Sequence, residues 1–557
     1  MITIEERPSI HLPNLTSLFF KLTVYSANAF KILRQQPLIY YDMKTCEYEL
    51  PLSKLFFLVD LLVKLDDVRF IQYQQPKKDV IKVENNFKLK LFQHQIEGIE
   101  YGVNHNGWLL LDDQGLGKTG QMICLAETLK RLEGIEHCLI ICGVNGLKYN
   151  WADEIAKFSD LDYTILGQVK TRTGRNKILS VPERLEILKN PIKEFFVITN
   201  LEMLQAENFA RVFKRSKNKF GMIVLDEAHK AKLPTSKSGA TLLKLMSPHN
   251  IALTGTLIMN NPENAYVPLK WTGNIGCTFG VFKAMYNVYG GFNGVQVIGH
   301  KNLDLLREHL SSCSLRRLKN DVLDLPEKTY QIEYVELGKE QRALYDEVAK
   351  GIAAELDLLP KNQKLTIRQE MVMNMRLRQV TAYPGMLTSE NIPSAKLDRL
   401  EELVEQIVSQ GDKVVIFNTF KGTVPEIVKR LEKYEPLVCT GNQSEEEINE
   451  RKIQFQSDNN RKVLVATWQK MGTGVTLTKA SYIIFVDTPW TDAEFQQCAD
   501  RIYRIGQSKN VCIITLVAKD TYDERVVEIL ERKEVLSNYI LDGDVPNFSQ
   551  YDDIDEF

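Results

Sequence analysis

The sequence predicts an α/β protein in which two doubly wound parallel sheets follow one another, with a small α+β accessory module ahead of them and a helical protrusion attached. Three observations carry this. From Phe87 to Tyr266, short runs of β-branched and large apolar residues alternate with helical patterns, the order that a parallel sheet covered on both faces demands. A second alternating series starts at Gly411. The chain has 557 residues, more than one hydrophobic core supports, so two or three domains are required.

The first series begins with KLKLFQHQIEGIEYG, which sets Gln95 at a helix start; its amide can both donate to and accept from an adenine edge. Residues 109–122, LLLDDQGLGKTGQM, form an apolar strand that ends in a glycine-broken turn and passes into a helix over 120–132. This is a phosphate-binding loop. Gly115 and Gly117, flanking Leu116, let the backbone approach a polyphosphate; Lys118 reaches the β- and γ-phosphates, and Thr119 offers a hydroxyl to Mg²⁺. The generic pattern has glycine where this chain has Asp112. The strands HCLIICG and FFVITN follow, and then FGMIVLDEAHK, whose apolar run ends in Asp226 and Glu227. Asp226 can hold the Mg²⁺ of a nucleotide, and Glu227 can orient or deprotonate an attacking water. IALTGT places Thr254, Gly255 and Thr256 at another strand end, where small hydroxyl residues can couple the acidic pair to movement.

Residues 267–400 are less regular. They include the glycine-rich VYGGFNGVQVIG, the basic LREHLSSCSLRRLKNDV and long helical patterns through 340–380. The second series then reads strand GDKVVIFNTF, helix TVPEIVKRLEKY, strand PLVCTG, helix EEEINERKIQFQ, strand RKVLVATWQ and strand SYIIFVDTPW. It has no nucleotide loop of its own. It supplies Gly472 and Gly474 and then QQCADRIYRIGQ, in which Arg501 and Arg504 lie on one helical face, able to reach a γ-phosphate. The ending SQYDDIDEF is an acidic tail over 545–557.

Ahead of both series, FFKLTVY alternates as a strand, SANAFKILRQQ reads as a helix, and YYDMKTCEYELP reads as a hairpin turning at Asp42–Thr45; a helix and the strand-like VRFIQY complete residues 52–75. The hydrophobic content of 44% and charged content of 25% are ordinary for a globular protein, and a net charge of −2 leaves any nucleic-acid contact to a local basic groove. Nine scattered cysteines, without C-x-x-C pairs, read as reduced buried thiols. The opening MITIEERPSI has no basic-then-apolar pattern of a secretory signal, and LFFLVDLLVKL at 55–65 is too short to span a bilayer. A cytoplasmic protein of bacterial or viral origin, with no membrane contact, is expected.

The hairpin Tyr41, Asp42, Thr45 and Tyr48 resembles the Y-D-x-x-T-x-x-W signature of the HARP domain of annealing helicases, with tyrosine in place of tryptophan. Over residues 88–510 the chain resembles the Swi/Snf-type ATPases of helicase superfamily two. Seven blocks recur in order: DDQGLGKTGQ, LDEAH, LTGT, LRRLKNDV, VVIFNTF, ATWQKMGTGVTL and DRIYRIGQ. Asp112 agrees with the family's D-E-M-G-L-G-K-T-x-Q, while Leu257, Gly143 and Met471 depart from its usual residues. The resemblance implies two tandem RecA-like lobes, at 87–312 and at 313–544 with the helical insertion, behind a HARP-like DNA-binding module at 1–86. It implies ATP and Mg²⁺ as cofactors and double-stranded or branched DNA as partner, handled by a monomer. Gln95, Asp112, Lys118, Thr119, Asp226 and Glu227 would act from the first lobe, and Gln497, Arg501 and Arg504 from the second. Candidate phosphate contacts to DNA are Arg316, Arg317 and Lys319, with Lys214, Arg215, Lys217 and Lys219 as a second group. The implied activity is an ATP-driven DNA translocase that remodels or anneals forks. A motor that displaces proteins from DNA and a non-hydrolysing scaffold stay open as alternatives.

Overall fold

The computed structural model describes residues 2–9, 16–22, 40–42, 45, 47–51, 68–71, 80–143, 147–170, 176–231, 233–258, 261–290, 296–323, 325–357, 367–443, 445–468, 476–489, 491–504 and 506–541. The helices expected over 26–36 and 52–65, the acidic tail, and Gly472 and Gly474 lie outside the described residues. The chain forms two compact units, one holding most of residues 1–318 and the other most of 319–536.

The first unit is built on a seven-stranded sheet. Its spatial order is Ser314–Leu315, Gly107–Leu110, His249–Leu253, Phe220–Asp226, His137–Cys142, Phe196–Asn200, Tyr163–Ile165, and every pairing is parallel. The strands read as unbroken apolar runs because both faces are covered; His137–Cys142 and His249–Leu253 are buried at every residue. Parallel strands share one carboxyl edge. The loops that follow Leu110, Leu253 and Asp226 therefore emerge side by side from three neighbouring strands. Ser314–Leu315 pairs with Leu109 and Leu110, so the first unit extends past the expected boundary at 312.

The second unit carries a six-stranded parallel sheet ordered Lys328–Val335, Val511–Ala518, Tyr482–Phe485, Val414–Asn418, Val463–Thr467, Leu437–Cys439. Its period of two is explicit: Val415, Phe417 and Leu464 enter one core, and Val414, Ile416 and Val463 enter another on the opposite face. Helices thus pack on both sides, as a doubly wound sheet requires. Lys328–Val335 escaped the sequence reading because it is no buried run; Tyr330, Ile332 and Tyr334 are exposed along it. The expected helices around 340–380 are Lys339–Asp357 and Ile367–Ala382.

The N-terminal module is a five-stranded sheet in the order Tyr40–Asp42, Glu47–Pro51, Thr16–Leu22, Ile2–Pro8, Val68–Ile71. The expected hairpin is present, with Tyr41 opposite Tyr48 and Tyr48 buried. The glycine-rich stretch that gave no regular pattern is a second hairpin, Asn287–Gly290 with Gln296–His300. Among the described residues, no helix is long and apolar enough to cross a membrane.

Candidate nucleotide site

The helix Lys118–Glu133 starts where its loop turns back, and Gly117 makes that turn at φ 77°. A side chain there would be strained by the backbone, and its Cβ would fall 2.2 Å from Gln95 Nε2. Gln95 thus lies against the loop. It is the third residue of helix Gln93–Asn104, and its Oε1 accepts from the Phe92 N–H at 3.0 Å. Lys118 Nζ donates to the carbonyl oxygens of Asp112 at 2.6 Å and Asp113 at 3.0 Å, which ties the lysine to its own loop. Thr119 is half-buried at the helix start, while Leu116 is fully buried and can offer only backbone to a ligand.

Asp112 does something different from cofactor binding. It is fully buried, and its carboxylate takes Arg317 Nε at 2.9 Å, Arg317 Nη2, and Gln121 Nε2 at 3.2 Å. Arg317 also donates to the His94 carbonyl and to Gln121 Oε1. An aspartate stands at the generic glycine position because it anchors this clasp beneath the loop. The clasp corrects the expectation for DNA as well. Arg317 is committed to Asp112, and Arg316 donates to the Leu111 carbonyl at 3.1 Å. In the second unit, Lys319 is buried and paired with Asp500, with Tyr503 O at 2.8 Å. None of the three presents a free cation to a phosphate backbone. Lys214, Arg215, Lys217 and Lys219 are exposed.

Asp226 ends its strand with both carboxylate oxygens held. Oδ2 accepts from Trp151 Nε1 at 2.8 Å and Oδ1 from the Glu227 N–H at 2.9 Å. Burial first, and then the adjacent Glu227, push the Asp226 carboxyl up to about 6, against the opposing pull of the Trp151 hydrogen bond and Lys118. Glu227 sits at φ 52°, a left-handed conformation that a non-glycine residue adopts at a cost. Gly143 makes room for it. A Cβ on Gly143 would meet Asp226 O and Glu227 Cβ, each at 2.8 Å, and the Gly143 N–H donates to Asp226 O at 2.9 Å. A proline at this position could not make that bond.

His229 carries the acidic pair toward the next strand end. Its Nδ1 lies 3.3 Å from Glu227 Oε2 and 3.0 Å from Thr254 Oγ1, and Thr254 Oγ1 accepts the Thr256 N–H at 3.1 Å. Two of the expected motifs, LDEAH and LTGT, are therefore joined in one polar chain at one sheet edge. Trp151, His229 and the Arg317 clasp were not assigned site roles from sequence, because their partners are distant in the chain; Trp151 and Asp226 are 75 positions apart.

In the second unit, the helical face expected for the arginines is absent. Helix Asp492–Ala499 stops before Arg501, and the residues through Arg504 form turns. The helix gives way because the Arg501 carbonyl accepts the Leu477 N–H at 2.8 Å, and Asp500 is taken by Lys319. Arg501 is buried, with its Nε on the Gln497 carbonyl at 3.0 Å; Gln497 is buried too, and Arg504 is half-buried.

The donor set of the first unit fits a magnesium-bound nucleoside triphosphate. It has one carboxylate fixed by two N–H groups, a hydroxyl at a helix N-terminus, and an ammonium beside a turn opened by glycine. Among the described residues, no cluster of three or more His, Cys, Asp or Glu could hold a metal ion.

The SNF2-related domain matches residues 57–386, and the helicase conserved C-terminal domain matches residues 395–506. An uncharacterized ATP-dependent helicase of Mycoplasma genitalium is 28% identical over 89% of this chain and 47% of its own length. The mouse SWI/SNF-related matrix-associated actin-dependent regulator of chromatin subfamily A member 1 is 27% identical over 81% of this chain and 43% of its own. The chain spans about half the length of the curated relatives it matches. Among solved structures, the Sulfolobus solfataricus SWI2/SNF2 ATPase core in complex with dsDNA is 25% identical and covers 83% of this chain and 96% of that one, with a TM-score of 0.38. With a matching domain across more than half of its length, the chain belongs to the SNF2-related family.

Proposed function

We propose that the protein is a DNA-dependent ATPase of helicase superfamily two that couples hydrolysis to translocation on duplex or branched DNA. The observation that carries it is the shared carboxyl edge of the first sheet, where the Lys118 loop, the Asp226–Glu227 pair and the Thr254–Thr256 turn leave three adjacent strands. In this reading, Lys118 and the loop N–H groups bind the phosphates, Gln95 meets the adenine, and Thr119 and Asp226 hold Mg²⁺. The metal would supply charge neutralisation on the β- and γ-phosphates. Glu227 orients the attacking water and receives its proton. Its link to His229 and Thr254 gives hydrolysis a route to the loop that follows the neighbouring strand. Arg501 and Arg504 are the second unit's candidates for stabilising transition-state charge.

The ATP-dependent helicases among the relatives support the motor reading. The N-terminal hairpin with Tyr41 and Tyr48 supports, within it, fork remodelling or strand annealing in repair or replication. The test is ATP turnover without DNA and with single strand, duplex or a model fork, using Lys118→Ala as the blank. Stimulation by the fork above the duplex supports fork work. Equal stimulation by any duplex points to a general translocase, and no stimulation by any DNA refutes both.

A further inference from the structure

The assignment of Asp226 to Mg²⁺ in the proposed function is the ground on which the following inference rests. We propose that Trp151 is a positioning residue for the metal ligand: its indole N–H fixes the Asp226 carboxylate and thereby sets how much Mg²⁺ adds to nucleotide affinity.

An indole offers one donor and no acceptor, so a buried tryptophan needs one partner and usually takes a backbone carbonyl. Trp271 does so in this protein, donating to Leu245 O at 2.8 Å. Trp151 instead spends its only donor on a carboxylate, also at 2.8 Å. The residue is 1% exposed and sits in the core of the first unit with Ile140, Cys142 and Ile155, on helix Leu147–Phe158. The donor is therefore held by packing and cannot follow a moving partner. The Glu227 N–H pins the other oxygen from the opposite end of the carboxylate. With one N–H on each oxygen, rotation of the carboxylate is blocked while each oxygen keeps a second lone pair. Partners of this kind hold a ligand in the orientation that binds metal, and their loss costs about ten- to a hundredfold in metal affinity or activity.

The experiment uses the full chain and ADP as probe, titrated calorimetrically with and without Mg²⁺. Trp151→Phe keeps an aromatic ring in the core and removes the donor; Ile155→Ala, on the same helix, removes packing and leaves the donor. We expect Trp151→Phe to bind Mg²⁺-free ADP within about twofold of wild type while the gain from Mg²⁺ falls by about tenfold or more. Ile155→Ala should keep that gain. A wild-type gain in Trp151→Phe, or an equal loss in Ile155→Ala, overturns the inference and leaves the proposed function standing. A wild-type protein with no gain from Mg²⁺ refutes the metal assignment of Asp226 and the inference with it. If Trp151→Phe does not fold, wild-type protein labelled with ¹⁵N-tryptophan decides: the Trp151 indole resonance, assigned by elimination among the five tryptophans, should move when Mg²⁺ is added to the ADP complex, and an unmoved resonance overturns the inference.

Discussion

Replacing Arg317 with alanine tests the clasp under the phosphate loop. Asp112 is fully buried and the Arg317 side chain is 11% exposed, so the substitution strands a carboxylate in the core of the first unit. It loses the bond from Nε at 2.9 Å and that from Nη2, and keeps only the Gln121 amide at 3.2 Å. The His94 carbonyl and Gln121 Oε1 lose a donor at the same time. Removing one partner of a buried pair costs about 3–5 kcal/mol. At about 2 °C per kcal/mol for a unit of this size, the thermal transition of the first unit should fall by roughly 6–10 °C. Because Lys118 Nζ is tied to the Asp112 carbonyl, nucleotide binding should weaken in the same variant. The assay is calorimetric unfolding of Arg317→Ala, Asp112→Ala and the double variant, with ADP affinity measured in parallel. The double variant should be no less stable than either single one, since it leaves no charge unpaired. A single-variant loss below about 1 kcal/mol, or strictly additive losses, would refute the account and return Arg317 to the candidates for DNA contact.

Two further outcomes follow from particular contacts. Gly143→Ala puts a Cβ 2.8 Å from Asp226 O and Glu227 Cβ; since both are held by a buried strand end, Glu227 must shift, and kcat for ATP should fall by about tenfold or more while ADP affinity changes far less. Equal effects on both would show that the whole loop has moved. His309 is buried, with Nε2 on the Asn274 carbonyl at 2.8 Å, and burial pushes its imidazole down to about 4. A group depressed in this way binds its proton less readily folded than unfolded, so the unfolded chain holds more protons between about pH 4 and 6.5 and stability rises with pH there. Going from pH 7 to pH 5 should therefore cost about 2 kcal/mol through His309. Urea titrations should show that loss shrinking in His309→Gln, and an undiminished slope would refute the assignment.

Local chemistry wrote much of the nucleotide site into the sequence. The glycine-opened turn, Lys118 at a helix start and an acidic pair after an apolar run are short-range patterns, because strand, turn and helix need those residues at those spacings. The alternation of apolar runs with helical segments likewise gave both parallel sheets. What failed in the sequence reading depended on contacts distant along the chain. Helical spacing put Arg501 and Arg504 on one face, but the chain leaves the helix at Asp500 because the Arg501 carbonyl is needed by Leu477. A basic pair in LRRLKNDV looked like a DNA contact until its partners appeared, one of them an aspartate 205 positions earlier. Within the glycine-rich stretch, Asn287–Gly290 and Gln296–His300 became paired antiparallel strands through cross-strand contacts that no local period announced. Periodicity reports which face of an element is buried. Only the folded chain decides which buried charge meets which, because burial is the property of one segment and pairing is the property of two.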